Sequence, residues 1–170
     1  MTSLGKVPER IRLAVHQVDP QPGEQILEIG CGPGVAAALV AERIDRGHLV
    51  AIDRSATAIG RALARNAANL DRVTFVETSL DGYEPDRAFD KVFAVNVNVF
   101  WTSAADKELD LVRRCLRPGG TLYLCYEAPG GRPSERVVNR VTTALARHEF
   151  MISMRSRPLL TFTGRTSVTP

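Results

Sequence analysis

Two rhythms of apolar and polar positions run along the chain. Residues 25–29 (QILEI) form a short apolar run that ends in glycines, and residues 35–44 are Ala-rich with apolar positions at helical spacing, so the pattern predicts strand, turn and helix. Residues 48–52 repeat the strand pattern, and Ser55, a good N-cap, opens residues 56–70, whose Ala and Arg content favours a helix. Residues 73–76 and 90–95 read as further strands, residues 104–116 as a helix and residues 121–126 as a fifth strand. Such alternation predicts a parallel sheet covered by helices on both faces.

The tail departs from this rhythm. A helix is predicted over residues 134–148, followed by strand-like runs at 150–157 and 160–166 that are separated only by Pro158 and Leu159. A parallel crossover needs a dozen residues or more, so the last two strands are expected to form an antiparallel hairpin. The chain shows no internal repeat and no long Pro/Gly/Ser linker, and 170 residues are one domain's worth, with an N-terminal segment over 1–24 and a core over 25–166.

Composition narrows the class. An apolar share of 44% with 24% charged residues is that of a globular protein that folds by burial, not a disordered chain or a disulfide-stapled miniprotein. A net charge of +3 is too small an excess to indicate nucleic acid. The seven Arg after Ala128, with Arg132, Arg136 and Arg140 one turn apart, read as a solvated helix face in preference to a nucleic-acid patch, since few aromatics interleave them. Lys6, Glu9, Arg10 and Arg12 interrupt the start of the chain, so no secretory signal is expected, and the longest apolar run, residues 35–41, is far short of the roughly 20 that span a bilayer. Cys31, Cys115 and Cys125 are odd in number, without CxxC spacing or paired histidines, so neither a disulfide framework nor a metal site is expected and a cytoplasmic location fits.

Candidate chemistry centres on Glu28-Ile-Gly30-Cys-Gly32-Pro-Gly34, where the first strand turns into the first predicted helix, at the strand end of an open α/β sheet. Glycines there let a ligand approach the backbone, and the helix start offers free amides. Asp53 ends the second strand 23 positions after Gly30, near the roughly 20-residue offset at which an acid accepts from ribose hydroxyls. Val35 stands where a dinucleotide GxGxxG fingerprint needs its third glycine, which disfavours NAD and FAD.

In these residues the sequence resembles the class I S-adenosylmethionine-dependent methyltransferases. Their first motif is similar to residues 26–41 (ILEIGCGPGVAAALVA), their second-strand acid to Asp53 in AIDRS, their fourth-strand segment to residues 89–101 (FDKVFAVNVNVFW), and their turn before the fifth strand to residues 116–124 (LRPGGTLYL). The resemblance covers residues 25–166 and implies a Rossmann-like, doubly wound, mostly parallel seven-stranded sheet with a C-terminal antiparallel hairpin, with S-adenosylmethionine as cofactor. It further implies that Gly30, Cys31, Gly32 and Gly34 pass under the methionine part of that cofactor, that Glu28 helps hold its amino group, and that Asp53 takes the ribose with Arg54 along the adenine. Ser79 and Leu80 match the adenine-binding pair after the third strand, although a hydroxyl replaces the usual acid and Glu77 and Asp81 lie close by. Asn96 matches the position whose carbonyl faces the methionine amino group, and the N-terminal segment matches one that lids the site.

For the acceptor side, carboxyl ends of strands ring the crevice, which nominates Asn98, Phe100 and Trp101 after the fourth strand and Tyr126 and Glu127 after the fifth. Glu127 is the candidate proton acceptor, with an exposed loop carboxylate as the competing reading, and His16 is a candidate from the N-terminal segment. The segment Asn96-Val-Asn98-Val lacks the Pro-Pro signature of family members that methylate base amines or glutamine, so a small-molecule acceptor is expected. A cofactor-binding protein without catalysis and a methyltransferase of RNA or protein remain the rivals, and the acceptor atom and oligomeric state stay open.

Overall fold

The computed structural model describes residues 7–168. Thirteen regular elements follow in chain order: α1 (Glu9–Val18), β1 (Gln25–Ile29), α2 (Val35–Ala41), β2 (His48–Asp53), α3 (Ala56–Arg65), β3 (Val73–Glu77), β4 (Phe89–Val95), α4 (Val99–Thr102), α5 (Asp106–Cys115), β5 (Leu116–Tyr126), α6 (Glu135–Arg147), β6 (Met151–Arg155) and β7 (Leu160–Arg165). They build one seven-stranded sheet in the order β3-β2-β1-β4-β5-β7-β6. The first five strands are parallel, and β7 runs antiparallel to both β5 and β6, so the sheet is doubly wound and Rossmann-like with an antiparallel C-terminal end.

Side-chain alternation on the central strands explains their unbroken apolar runs, because both faces are buried. Leu27, Ile29, Val50, Ile52, Val92 and Ala94 face the layer that holds α4, α5 and α6. Ile26, Leu49, Ala51 and Phe93 face the other way, against Val15 and Val18 of α1 and Ala37 and Val40 of α2. Connections from β1 and β4, which lie side by side, leave in opposite directions, and this opens a crevice at their carboxyl ends.

Departures from the sequence pattern have local causes. The N-terminal segment contains α1, anchored by buried Ala14, Val15 and Val18. The helix expected over 56–70 stops at Arg65, because the buried Asn66 side chain donates to the carbonyls of Gly34 and Ala62, both at 3.0 Å, and a 3-10 turn follows. Strand β5 begins at Leu116, ahead of the expected Thr121, pairing first with Phe89 before its register shifts. No helix longer than a 3-10 turn at Leu80–Gly82 joins β3 to β4. Among the described residues no helix is long and apolar enough to cross a membrane.

Candidate functional site

The glycine turn is stapled to the neighbouring strand. Gly30 N and Cys31 N both donate to the Ile52 carbonyl, at 2.8 and 3.0 Å. Gly30 has φ +69°, and a Cβ there would come within 2.7 Å of Val97 Cγ2. Gly34 has φ +71°, and a Cβ would meet Asn66 Nδ2 at 2.6 Å. Glycine is therefore required at both, but for packing as well as for ligand approach. Asp53 ties the turn to α3: its Oδ2 accepts from Gly32 N and its Oδ1 from Ser55 N, both at 2.9 Å. Each carboxylate oxygen keeps a free lone pair, so the group remains able to accept from two ribose hydroxyls.

Glu28 lies beneath this turn, 4% exposed, and its Oε2 has no hydrogen-bond partner. Burial, reinforced by the nearby Asp53 carboxylate, pushes its pKa up to about 8. Burial, with Glu28 and Asp53 adjacent, pushes the Cys31 thiol up, which disfavours the thiolate. An orphaned buried carboxylate that faces a second acid is a place for a cation.

Above these groups opens a crevice of about 400 Å³ whose lining includes Gly30, Asp53, Arg54, Ser79, Leu80 and Asn96. Six of the ten expected cofactor residues thus meet on one surface. Of the others, Glu28 and Cys31 are buried below it, Gly32 reaches it through the hydrogen bond its N–H donates to Asp53, and Gly34 packs away from it against α3. Sequence reasoning missed Thr78, Val97, Val99 and Glu108 in the lining. Asp81 also lines the crevice, and the Ser79 hydroxyl holds its carboxyl below the usual range, so an acid does stand where the expected adenine contact fell on Ser79. Glu77 instead pairs with Asp53 in the strand register.

The acceptor-side residues divide. Asn98 lines the crevice. Phe100 and Trp101, expected as a substrate wall, are 3% and 4% exposed and belong to the core, because α4 turns them inward. Trp101 stacks on Tyr126 with ring centroids 4.5 Å apart, and its carbonyl accepts from Arg140 Nη1 at 2.7 Å. That bond also removes Arg140 from the solvated face expected for Arg132, Arg136 and Arg140. His16 does not join the crevice: with Ala14, Val15 and Val18 turned inward it points outward, into a groove shared with Tyr123 and Thr163. Tyr126 and Glu127 line a second pocket, of about 190 Å³, between α1, the end of β5 and the β6–β7 turn. The Glu127 amide donates to Asn96 Oδ1 at 2.8 Å, and Asn96 holds φ +55°, a strained value for a residue with a side chain. One hydrogen bond thus joins the two pockets. The Glu127 carboxylate, 55% exposed, faces Arg10 Nη1 at 3.5 Å.

Comparison with known proteins agrees with this geometry. A family described as a methyltransferase domain matches residues 26–120, more than half of the chain. Trans-aconitate 2-methyltransferase of Acidovorax ebreus (strain TPSY) is 28% identical over 141 residues, covering 81% of this chain and 53% of that protein. The chain spans about half the length of the relatives it matches. Among solved structures, precorrin-6y C5,15-methyltransferase from Geobacter metallireducens superposes with a TM-score of 0.75 at 16% identity, covering 98% of this chain and 93% of that one. A SAM-dependent O-methyltransferase from Thermotoga maritima superposes with a TM-score of 0.74 at 14% identity, over 96% of this chain and 66% of that one. The chain belongs to the class I S-adenosylmethionine-dependent methyltransferase family.

Proposed function

We propose that this chain transfers the methyl group of S-adenosylmethionine to a small molecule held at the carboxyl ends of β4 and β5. The observation that carries the reading is the crevice at the β1/β4 switch point, with Asp53 clamping the glycine turn and Glu28 buried and unpartnered beneath it. These residues fit the cofactor, since an ammonium is the group an orphaned buried carboxylate lacks. The bound cofactor supplies an electrophilic methyl on a sulfonium. Glu28 and the Asn96 carbonyl would hold its amino group, Asp53 would accept from the ribose, and Arg54, Leu80 and Asp81 would bind the adenine. Asn98 and the second pocket beside Asn96 align the acceptor, which is the larger part of what such a reaction asks of a protein.

The relatives named trans-aconitate 2-methyltransferase support a small acceptor. The test is a thermal shift followed by a transfer assay. S-adenosylmethionine and its demethylated product are expected to raise the melting temperature while NAD does not, and label from the cofactor is expected in a small acid such as trans-aconitate or another metabolite. Stabilisation by NAD alone would overturn the cofactor. Label found only in RNA or protein would overturn the acceptor class.

A further inference from the structure

We propose that the second pocket binds a carboxylate of an anionic acceptor, with Arg10 as the residue that grips it and Glu127 as the group it displaces; this rests on the methyltransferase reading and deepens it. Part of the wall is apolar, from Leu13, Pro133, Pro158, Leu159 and Leu160, and suits a small carbon skeleton, while Glu9, Arg10, Glu127 and Ser156 make the rest polar. Arg10 is the one cation among the lining residues described. Its planar fork matches a carboxylate in a bidentate fashion, which a lysine would not.

The present partner of Arg10 is a weak one. At 3.5 Å the contact to Glu127 is longer than the roughly 2.7–2.9 Å of a charge-assisted bond, and the two side chains are 40% and 55% exposed. Pairs of that exposure contribute little, so a ligand carboxylate with better geometry replaces Glu127 at small cost. Glu9, the other acid of the lining, is paired with Arg12 and not with Arg10. The bond from Glu127 N to Asn96 Oδ1 sets this pocket one residue away from the cofactor crevice.

The pairing makes opposite demands on its two members, and this supplies the test. Protein saturated with S-adenosylhomocysteine is titrated in a calorimeter with succinate, glutarate and tricarballylate, and with the neutral diamides of succinate and glutarate. At least one carboxylate is expected to bind and its diamide not. Arg10→Gln is expected to weaken that carboxylate tenfold or more, and Glu127→Gln to tighten it severalfold, with S-adenosylhomocysteine affinity in both variants within about twofold of the parent. No carboxylate binding, equal binding of acid and diamide, an unaffected Arg10→Gln, or a Glu127→Gln variant that binds more weakly would each overturn the proposal. Failure of the parent protein to take up S-adenosylhomocysteine would instead overturn the methyltransferase reading itself.

Discussion

Replacing Glu28 with Gln isolates the most unusual electrostatic feature of the site. The carboxyl is buried, its Oε2 lacks a partner, and its pKa is pushed up to about 8 from an ordinary 4.5. The native protein therefore holds a proton that the unfolded chain has released between these values, and stability falls as pH rises through that window. At about 1.4 kcal/mol per pH unit while the native group stays protonated, raising the pH from about 6 to about 8 removes about 2 kcal/mol. For a chain of this size that corresponds to a melting temperature lower by roughly 4–8 °C. Glu28→Gln keeps the shape and cannot ionise, so the difference between parent and variant across the pH series cancels the titrating groups that Glu28 does not touch. Scanning calorimetry of both proteins reads it directly. Saturating S-adenosylmethionine is expected to flatten the parent's pH dependence, because a cation beside Glu28 favours the charged form. A parent-minus-variant difference that is constant with pH, or that grows in the parent's favour as pH rises, would refute the reasoning.

Asp53→Ala is expected to weaken cofactor binding by about 1.5–3 kcal/mol, and also to lower fold stability because the Gly32 and Ser55 amides lose their acceptor; calorimetric titration and urea unfolding measure the two effects. Gly34→Ala is expected to destabilise by more than about 1 kcal/mol, since its Cβ would meet Asn66 Nδ2 at 2.6 Å; Gly32→Ala shares the left-handed backbone strain, at φ +52°, but adds a Cβ with nothing within 4 Å and costs less. Equal urea midpoints for the two would contradict the packing role given to Gly34. Trp101→Ala is expected to cost about 3–5 kcal/mol of stability as a core cavity. An unchanged unfolding midpoint with lost acceptor binding would return Trp101 to the substrate wall.

How far the sequence reaches into this protein depends on how local each feature is. Strand β1, the glycine turn, and the acid that ends β2 lie within residues 25–53, and each is set by a short pattern: an apolar run, positive-φ glycines, a carboxylate at a strand end. Those were legible, as was the hairpin, because the four residues between β6 and β7 leave no room for a crossover. Misreadings arose where a long-range partner decides. The aromatics at 100 and 101 follow β4 as a substrate wall would, yet whether they face ligand or core depends on Tyr126, Phe162 and Arg140, which no spacing near residue 100 reports. Asp81 went unassigned in favour of Ser79 because a 3-10 turn at Leu80–Gly82, not the expected strand end, carries the acid into the crevice.

The acceptor side is the extreme case. Arg10 and Glu127 meet across 117 positions of sequence, and the pocket around them takes its walls from α1, the end of β5 and the β6–β7 turn. No periodicity links these segments; the sheet order does, since inserting β7 between β5 and β6 carries the hairpin turn back to the same end as the β5 terminus and the start of α1. The cofactor crevice is thus built from short motifs at the ends of neighbouring parallel strands, whereas the second pocket joins segments from both ends of the chain. On the proposed assignment, a substitution at Arg10 is expected to alter acceptor binding without touching a residue that lines the cofactor crevice, and a calorimetric titration of both ligands against that variant checks it.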